Sequence, residues 1–523
     1  MQFYALGGKM KLRVNNKFFF LFIIFFINFN INSQGNREKL NFTLKEVVQK
    51  AIENSPEIKS NVYELAKTDT GFLKSQSKYS WRLVGGLDSQ KQILPDNQVN
   101  FFSGTKISND KIFAGVEKIF PTGTYFKVEA STVRFDSNAF EDPIRYGGTF
   151  RNLGIPPLYT GAITVTLSQD ILKNSFGVQD RNIQKILEHQ SEIAKLDISY
   201  KLSNVIVNTL VSYWNYVISD SSFKTYERLQ RNTKNIRDLT IQKTKLGTSE
   251  NFEVNQWNAA LSQVESQLEK TKLEREENKR KLLRILGLST DEELGEITDL
   301  KEEIPQDFNL EKDVEYAFQN RTDWKSLQIR KEIVAMSEKN AIDNALPSVK
   351  LNLIGSSKGQ TIVAPQNNFL DSSEGVTSRK YYEATANLRV TYPLADKGIK
   401  ADIRDSKISA LQVSLAEQDL RREIEDDLKI KYETVVVGYK ILQNAIKTRK
   451  QSEAYYNGLY NGFRNGRFNT LAVKNALDTL VQNQLAETQA KINFNIDILR
   501  YEIARNSLFE SYEIDIEQII PKF

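Results

Sequence analysis

Apolar side chains recur every three or four positions from Val178 to Leu246, a stretch of 69 residues without a glycine or a proline. This period is typical of an α-helix. The absence of helix breakers predicts one continuous helix of about 100 Å, at a rise of roughly 1.5 Å per residue. Gly247 ends the pattern, and 248–286 resumes it, which predicts an antiparallel helical hairpin. Helices this long can bury their apolar stripes only against partner helices along their whole length.

The chain repeats this arrangement once. A shift of 219 residues aligns Gly247 with Gly466, and a shift of 266 residues aligns Ala51 with Ala317. Apolar positions of two helices can match by chance, but two matched hinge glycines favour a true duplication. Further pairs in register are Phe42 with Phe308, Leu44 with Leu310, Val48 with Val314, Asn54 with Asn320, Val205 with Ile424, Tyr213 with Tyr432 and Val254 with Val473. Each half therefore begins with a short helix and ends with a long hairpin.

Alternation of apolar and polar residues predicts β-strands between the short helix and the hairpin of each half. The alternating segments are 126–131, 163–168, 349–353 and 382–392. The eleven residues of the last segment suit a tilted crossing of a bilayer, although a soluble sandwich with one wet face has the same period. Two segments rich in Gly, Pro, Ser and Asn are interpreted as long exposed loops on one side of a barrel, and they are 136–159 and 356–380.

The strand pattern predicts about two crossing strands per half, which is too few to close a membrane barrel within one chain. Three copies would supply the even number of roughly twelve strands, and six helical hairpins would continue below as a tube. The first half has the larger strand region. This leaves open either an extra hairpin around 121–124 or one long loop.

The first residues have the pattern of a targeting signal. Four basic residues precede the apolar stretch 18–29, and small polar residues around Ser33 offer a cleavage site. An N-terminal membrane anchor is the alternative, although twelve residues are short for a spanning helix. Beyond residue 29 no segment approaches eighteen apolar residues, so any further crossing would use strands. The basic residues are Lys9, Lys11, Arg13 and Lys17.

Composition narrows the possible chemistry. The chain has no cysteine, which excludes disulfides, thiolate metal sites and a cysteine nucleophile. The net charge of +5 is spread without basic blocks and gives no indication of nucleic acid. No catalytic, metal or phosphate motif surrounds the single histidine, His189, so we expect no enzyme activity, cofactor or metal. The carboxylates Glu423, Glu425, Asp426 and Asp427 are interpreted as a solvated helix face.

These patterns predict a signal peptide and two structural repeats. The expected bounds are 1–33 for the signal peptide, 34–300 for the first repeat with strands in 81–170 and the hairpin in 171–286, and 301–523 for the second repeat with strands in 347–393 and the hairpin in 398–509.

The motifs of the chain, taken in order along the sequence, resemble those of the TolC-like family of outer-membrane efflux and secretion proteins, over about residues 40–509. The motifs that carry the similarity are 44–54 with its echo at 310–320, Trp81 and Pro347 ahead of the strands, Gln169-Asp170-Ile171-Leu172 before the long helix, and the tips 247–254 and 466–473. The resemblance implies a mostly α fold with β, in which a trimeric outer-membrane β-barrel is fused to an α-helical periplasmic tunnel.

The resemblance also implies a function. The chain would be the outer-membrane channel of a tripartite efflux pump or a type I secretion system, a passive exit duct for small molecules or proteins. Its implied partners are two further copies of the chain, outer-membrane lipid, a periplasmic adaptor and an inner-membrane pump of the RND, ABC or MFS type. The alternative is a periplasmic adaptor or a structural coiled-coil protein, but an adaptor has one long hairpin, and a structural coiled coil lacks alternating strands.

The hairpin tips are the candidate site for contact with the adaptor. The resemblance places Gly247 and Thr248 at the tip of the first hairpin, and Gly466 and Arg467 at the tip of the second. Each glycine lies 34 residues after its matched tyrosine, Tyr213 or Tyr432, and precedes a new helix start. We therefore expect both tips to face the periplasm.

The gate departs from the family pattern. Related channels often carry aspartates at the second tip that narrow the aperture, whereas this chain has Ala472 and Asn475 in those places. The opposite charges nearest the hinges are Glu253 and the arginines Arg464 and Arg467. We expect Glu253 to pair with one of these arginines in the closed trimer, as an exposed bridge of about 0.2–1 kcal/mol.

Overall fold

The computed structural model describes residues 43–98, 100, 102–141, 157–292, 294, 300–305, 308–361, 372–378 and 380–515. The predicted signal peptide, 1–33, lies outside these residues. Within them the chain is mostly helical and carries one antiparallel sheet, which confirms the predicted fold class of mixed α and β elements in a duplicated order.

Both repeats follow the predicted order of short helices, strands and a long helical hairpin. The first repeat comprises α1 (Leu44–Asn54), α2 (Pro56–Leu65), α3 (Thr70–Gln76), β1 (Arg82–Ile93), β2 (Lys106–Ile119), β3 (Thr124–Ser137), β4 (Leu158–Asp170), α4 (Val178–Lys245) and α5 (Asn251–Ile285). The second comprises α6 (Leu310–Asn320), α7 (Thr322–Asn344), β5 (Ser348–Thr361), α8 (Ser373–Thr377), β6 (Tyr381–Thr391), α9 (Lys397–Arg464), α10 (Thr470–Arg505) and α11 (Leu508–Ser511).

Helix α1 begins with a capping box. The hydroxyl of Thr43 accepts a hydrogen bond from the backbone N–H of Glu46 at 3.2 Å, and the Glu46 carboxylate accepts one from the backbone N–H of Thr43 at 2.8 Å. The backbone hydrogen bond, more than the hydroxyl contact, holds the pKa of Glu46 below its usual value. Pro56 begins α2 directly after α1 because a proline fits the first turn of a helix but not its interior.

Three apolar clusters hold the long helices together. The first packs α1, α2 and α5 against α4 around the fully buried Tyr213, and the third packs α6, α9 and α10 around Phe494. The second lies near the tips, where all four long helices meet around Trp257 and Phe463. The two hairpins therefore share their cores, as helices without a globular interior must.

The six strands form one antiparallel sheet in the order β1-β2-β3-β4-β5-β6. The expectation of about two strands per half is wrong for the first half, which contributes four. The turn at 121–124 joins β2 to β3, so the extra residues form strands rather than one long loop. The loop bounds 136–159 and 356–380 were also too wide, because β3, β4 and β5 extend into them and pair with their neighbours there.

In the described part of the chain, no helix is both long and apolar enough to cross a membrane.

Candidate membrane-facing sheet and hairpin tips

One face of the sheet is apolar across all six strands. The pairing places one residue from each strand in a single row, which reads Leu83, Val116, Val128, Val165, Gly355 and Ala384. The neighbouring row on the same face runs from β3 through Phe126, Leu167, Leu353 and Ala386. We call this surface the apolar face, and the opposite surface the polar face.

The apolar face is the more exposed of the two. On β4, Ile163, Val165 and Leu167 are exposed, whereas Thr164 and Thr166 between them are only partly accessible. On β2 the same alternation leaves Ile112 and Val116 exposed. A sheet in water turns its polar face outward and packs its apolar face. This sheet does the reverse, as a membrane strand does.

The polar face carries a network of charges. Glu129 on β3 lies 2.9 Å from the ammonium of Lys111 on β2 and 2.6 Å from that of Lys127. The hydroxyl of Tyr125 donates to Glu117 at 2.8 Å. Paired charges of both signs on the sheltered side suit a water-filled interior.

Aromatic rings bound the apolar face at the end of the sheet next to the helices. Trp81 makes edge-to-face contacts with Phe120 and Phe126, with ring centroids 6.5 and 6.4 Å apart. The ammonium of Lys118 lies 5.1 Å from the centroids of both Trp81 and Phe120. Aromatic and basic residues of this kind are enriched where a membrane meets water.

Charged residues bound the same face at the opposite end of the sheet. Arg134 forms ion pairs with Asp110, at 3.2 Å, and with Asp136. Helix α8 packs beside them over Gly359, where a Cβ atom would collide with the backbone of Ser372. The apolar residues therefore form a band between an aromatic end and a charged end.

Both hairpins turn through the same backbone motif. Gly247 and Gly466 adopt left-handed φ values of +73° and +75°. The following N–H groups reach back across the turn, from Thr248 to the carbonyl of Lys243 at 2.9 Å and from Arg467 to that of Gly462 at 2.8 Å. This is a Schellman motif, and a side chain at either glycine would strain it.

The predicted tip residues lie on the surface. Gly247, Thr248, Gly466 and Arg467 are all exposed, and the hydroxyl of Thr248 donates to the Lys243 carbonyl at 3.0 Å. The two tips therefore offer exposed backbone and side-chain groups to a partner.

The predicted gate residues are not brought together within one protomer. The carboxylate of Glu253 accepts hydrogen bonds from the hydroxyl of Ser249 and, at 3.4 Å, from the backbone N–H of Glu250. Glu253 thereby forms part of the capping box at the start of its own helix, α5. Arg464 and Arg467 are exposed, and neither forms an ion pair with any residue that the structure describes. Asn475 is exposed on α10. Whether Glu253 pairs with an arginine of another protomer stays a prediction.

Two contacts that the sequence did not indicate join the tips of the hairpins. The ammonium of Lys243 donates to the carbonyl of Phe463 and lies 4.2 Å from its ring centroid. The indole N–H of Trp257, which is 1% exposed, donates to the hydroxyl of Thr470, which is 2% exposed. The sequence signal that could have indicated the second contact is Trp257, a large apolar residue near the polar start of α5.

His189 and Asp427 contact charged side chains of a neighbouring helix or of its N-cap residue. His189 lies 3.2 Å from a carboxylate oxygen of Glu332 and 3.4 Å from one of Glu192, and no group of metal-binding residues occurs among the described positions. Asp427 pairs with Arg321 at 3.2 Å, at the contact between α9 and the start of α7.

Burial raises the pKa of Tyr456 in the tip cluster to about 12, so its phenol stays neutral at physiological pH.

No protein-family model matches the chain, and no curated protein matches it. Solved structures do. The outer membrane protein VceC from Vibrio cholerae is 13% identical at a TM-score of 0.60, over 88% of this chain and 95% of its own. The outer membrane channel CmeC from Campylobacter jejuni is 14% identical at 0.59, over 91% and 88%, and MtrE from Neisseria gonorrhoeae is 11% identical at 0.58, over 88% of both chains. The chain therefore has the fold of the TolC-like outer-membrane channels.

Proposed function

We propose that this protein is the outer-membrane channel of a tripartite efflux pump or a type I secretion system. It would sit in the outer membrane and extend into the periplasm as a passive exit duct for small molecules or proteins. The observation that carries the proposal is the exposed apolar face, which continues in one chain into hairpins of 68-residue and 35-residue or 36-residue helices.

The length of the helices supports a periplasmic duct. At roughly 1.5 Å per residue, α4 and α9 each extend about 100 Å from the sheet. The sheet supplies the part that meets lipid, and the hairpins supply the part that reaches toward the inner membrane. The similar fold of VceC, CmeC and MtrE agrees with this division.

A trimer would cover an apolar stripe that the single chain leaves in solvent. Helix α9 exposes Ile408, Leu411, Leu415, Ile430, Val437 and Ile441. Several of these recur at steps of three, four or seven residues, as in the seam of a coiled coil. Long helices in a tube place such a seam against a neighbouring protomer, so α9 is the proposed contact between copies.

The tips would meet the periplasmic adaptor and, through it, an inner-membrane pump of the RND, ABC or MFS type. Gly247, Thr248, Gly466 and Arg467 are exposed at the end of the molecule farthest from the sheet. The matching turns present two similar surfaces per chain, so a trimer would offer six.

The trimer is tested by placing charges in the stripe. We expect the double variant Leu411→Glu with Leu415→Glu to lose the trimer, since burying a leucine contributes about 1.5–3 kcal/mol and each copy loses two. Ser409→Glu with Ala416→Glu is the control, because it adds the same two negative charges at a partly exposed and an exposed position of α9, both outside the stripe. Membrane fractionation and native mass measurement report the result, and a wild-type protein found as a soluble periplasmic monomer would contradict the proposal.

The gate is tested at Glu253. If an arginine of another protomer holds the tips closed, Glu253→Lys should raise single-channel conductance in a planar bilayer. Each bridge contributes only about 0.2–1 kcal/mol, which suits a gate that an adaptor must open. Unchanged conductance with intact trimers would show that closure depends on other contacts.

A further inference from the structure

The sheet has two open edges. Among the residues that the structure describes, β1 pairs only with β2, and β6 pairs only with β5. Every residue of β6 and all but two of β1 are exposed, whereas residues of the inner strands are mostly covered in part. Both edge strands thus keep a row of backbone donors and acceptors for another chain.

An open edge is incompatible with the surroundings that the apolar face requires. In hydrocarbon each unpaired backbone N–H or C=O group costs several kcal/mol, so a spanning sheet must close on itself. Neither β1 nor β6 contains a proline that would block pairing. The six strands of one chain leave both edges free, so closure has to come from another copy.

The direction of the strands allows β6 of one copy to pair with β1 of the next. Each strand is antiparallel to its neighbour, and the sheet has an even number of strands. β6 therefore runs opposite to β1. A head-to-tail ring of copies would continue the antiparallel pattern through every junction.

The stagger of the strands is also that of a closed barrel. The row from Leu83 to Ala384 moves away from the helical end of the sheet. Leu83 is one residue from the helical end of β1, at Arg82, whereas Ala384 is seven residues from the helical end of β6, at Thr391. This is about one residue per strand. A barrel whose shear equals its strand number has the same stagger and a strand tilt of about 36°.

We propose that β6 of each protomer pairs with β1 of the next, so that the β1–β2 hairpin belongs to the membrane wall and three protomers close a barrel of eighteen strands. Six strands per chain in three copies give this number, in place of the roughly twelve that two strands per half would supply. The inference rests on the trimeric channel proposed above. It assigns β1 as the surface that recognises a second copy.

The register between β6 and β1 of the next copy follows from two conditions, the matching of apolar faces and the stagger of the strands. Apolar-face residues must meet apolar-face residues, because a slip of one residue would turn the whole strand over. Continuing the stagger places Leu83 of one copy opposite Val390 of its neighbour, and Leu87 opposite Ala386.

A wall of eighteen strands predicts a wide mouth. Barrel diameter grows roughly in proportion to strand number, so eighteen strands give about 1.5 times the diameter of twelve, and barrels of 16–18 strands leave an aqueous channel. The polar network around Glu129 would line this opening.

The absence of cysteine from the chain makes the junction directly testable. In the full-length trimer in outer membranes, Leu87→Cys combined with Ala386→Cys should give a covalent trimer on a denaturing gel after oxidation or treatment with a short bifunctional maleimide. A link within one chain is excluded, since the two strands lie five strand spacings, about 24 Å, apart. Leu87→Cys with Asn387→Cys is the control, because Asn387 lies on the polar face.

Scanning the second cysteine over Ala384, Ala386, Leu388 and Val390 should locate the efficiency maximum at Ala386 or one same-face step from it. The rival arrangement leaves the β1–β2 hairpin outside the wall and pairs β6 with β3 of the next copy. Intact trimers that cross-link through Val128→Cys or Ala130→Cys with β6, but not through Leu87→Cys, would overturn the inference and leave the channel proposal standing. A protein that forms no trimer would overturn both.

Discussion

An arginine in place of Val165 is expected to prevent insertion of the protein into the outer membrane. Val165 lies on β4 in the middle of the apolar row, between Val128 and Gly355. A lysine or arginine on the lipid face at the bilayer midplane costs about 2–4 kcal/mol. Three copies would carry that cost together, so the trimer should be lost from the membrane fraction.

The neighbouring residue provides a matched control. Thr164 lies on the polar face, directly opposite Glu129 in the network with Lys111 and Lys127, so an arginine there joins a charged surface rather than lipid. Thr164→Arg should therefore assemble close to the wild-type level. Fractionation and trimer yield measure both variants. If Val165→Arg inserts normally while Thr164→Arg does not, the apolar face does not meet lipid.

The sequence predicted the elements whose pattern is regular. Helix α4 was expected over 178–246 and is observed at Val178–Lys245, because 69 residues without a breaker allow only one periodicity. Strand β6 was expected within 382–392 and is observed at Tyr381–Thr391 for the same reason. Both patterns are regular because each segment has one face that must be apolar along its whole length.

Strand β1 was missed because its pattern is interrupted. Gly85 and Gly86 stand in its middle and have no apolar side chain to mark a face, and Asp88 and Lys91 follow toward its charged end. The ring of Phe113 on β2 lies over Gly86, where a Cβ atom would come within 2.8 Å of it and displace the ring. The segment forms a strand because it pairs with β2, and the pattern of a single sequence does not reveal which segments pair.

The tip contacts were missed because they join segments far apart in the chain. Trp257 and Thr470 lie 213 positions apart, and the repeat aligns Trp257 with Ala476 rather than with its partner. Glu253 was singled out as a nearby charge, but its own helix start already uses its carboxylate. Local capping can be predicted from short spacing, whereas a contact between hairpins depends on how the helices pack.

Replacing Thr470 with valine should loosen the contact between the two hairpins. Valine keeps the shape of threonine but removes the acceptor, which leaves the buried indole N–H of Trp257 without a partner, at a cost of about 1–3 kcal/mol. If this contact exists only while the tips are together, one or two kcal/mol would shift the balance toward separated tips by a factor of roughly 5–30. Single-channel recording of Thr470→Val trimers should then show a higher open fraction.

Two further variants decide whether the hydrogen bond is responsible. Trp257→Phe removes the donor and keeps an aromatic ring, so it should act in the same direction but more weakly, at about 0.5–1.5 kcal/mol, and should not add to Thr470→Val. Trp214→Phe is the control, because that buried indole N–H has no partner among the described residues. It should leave the open fraction unchanged, although the smaller ring leaves a cavity in the core and lowers the free energy of unfolding. Equal increases of the open fraction in the two tryptophan variants would show that ring packing, not the contact with Thr470, holds the hairpins together.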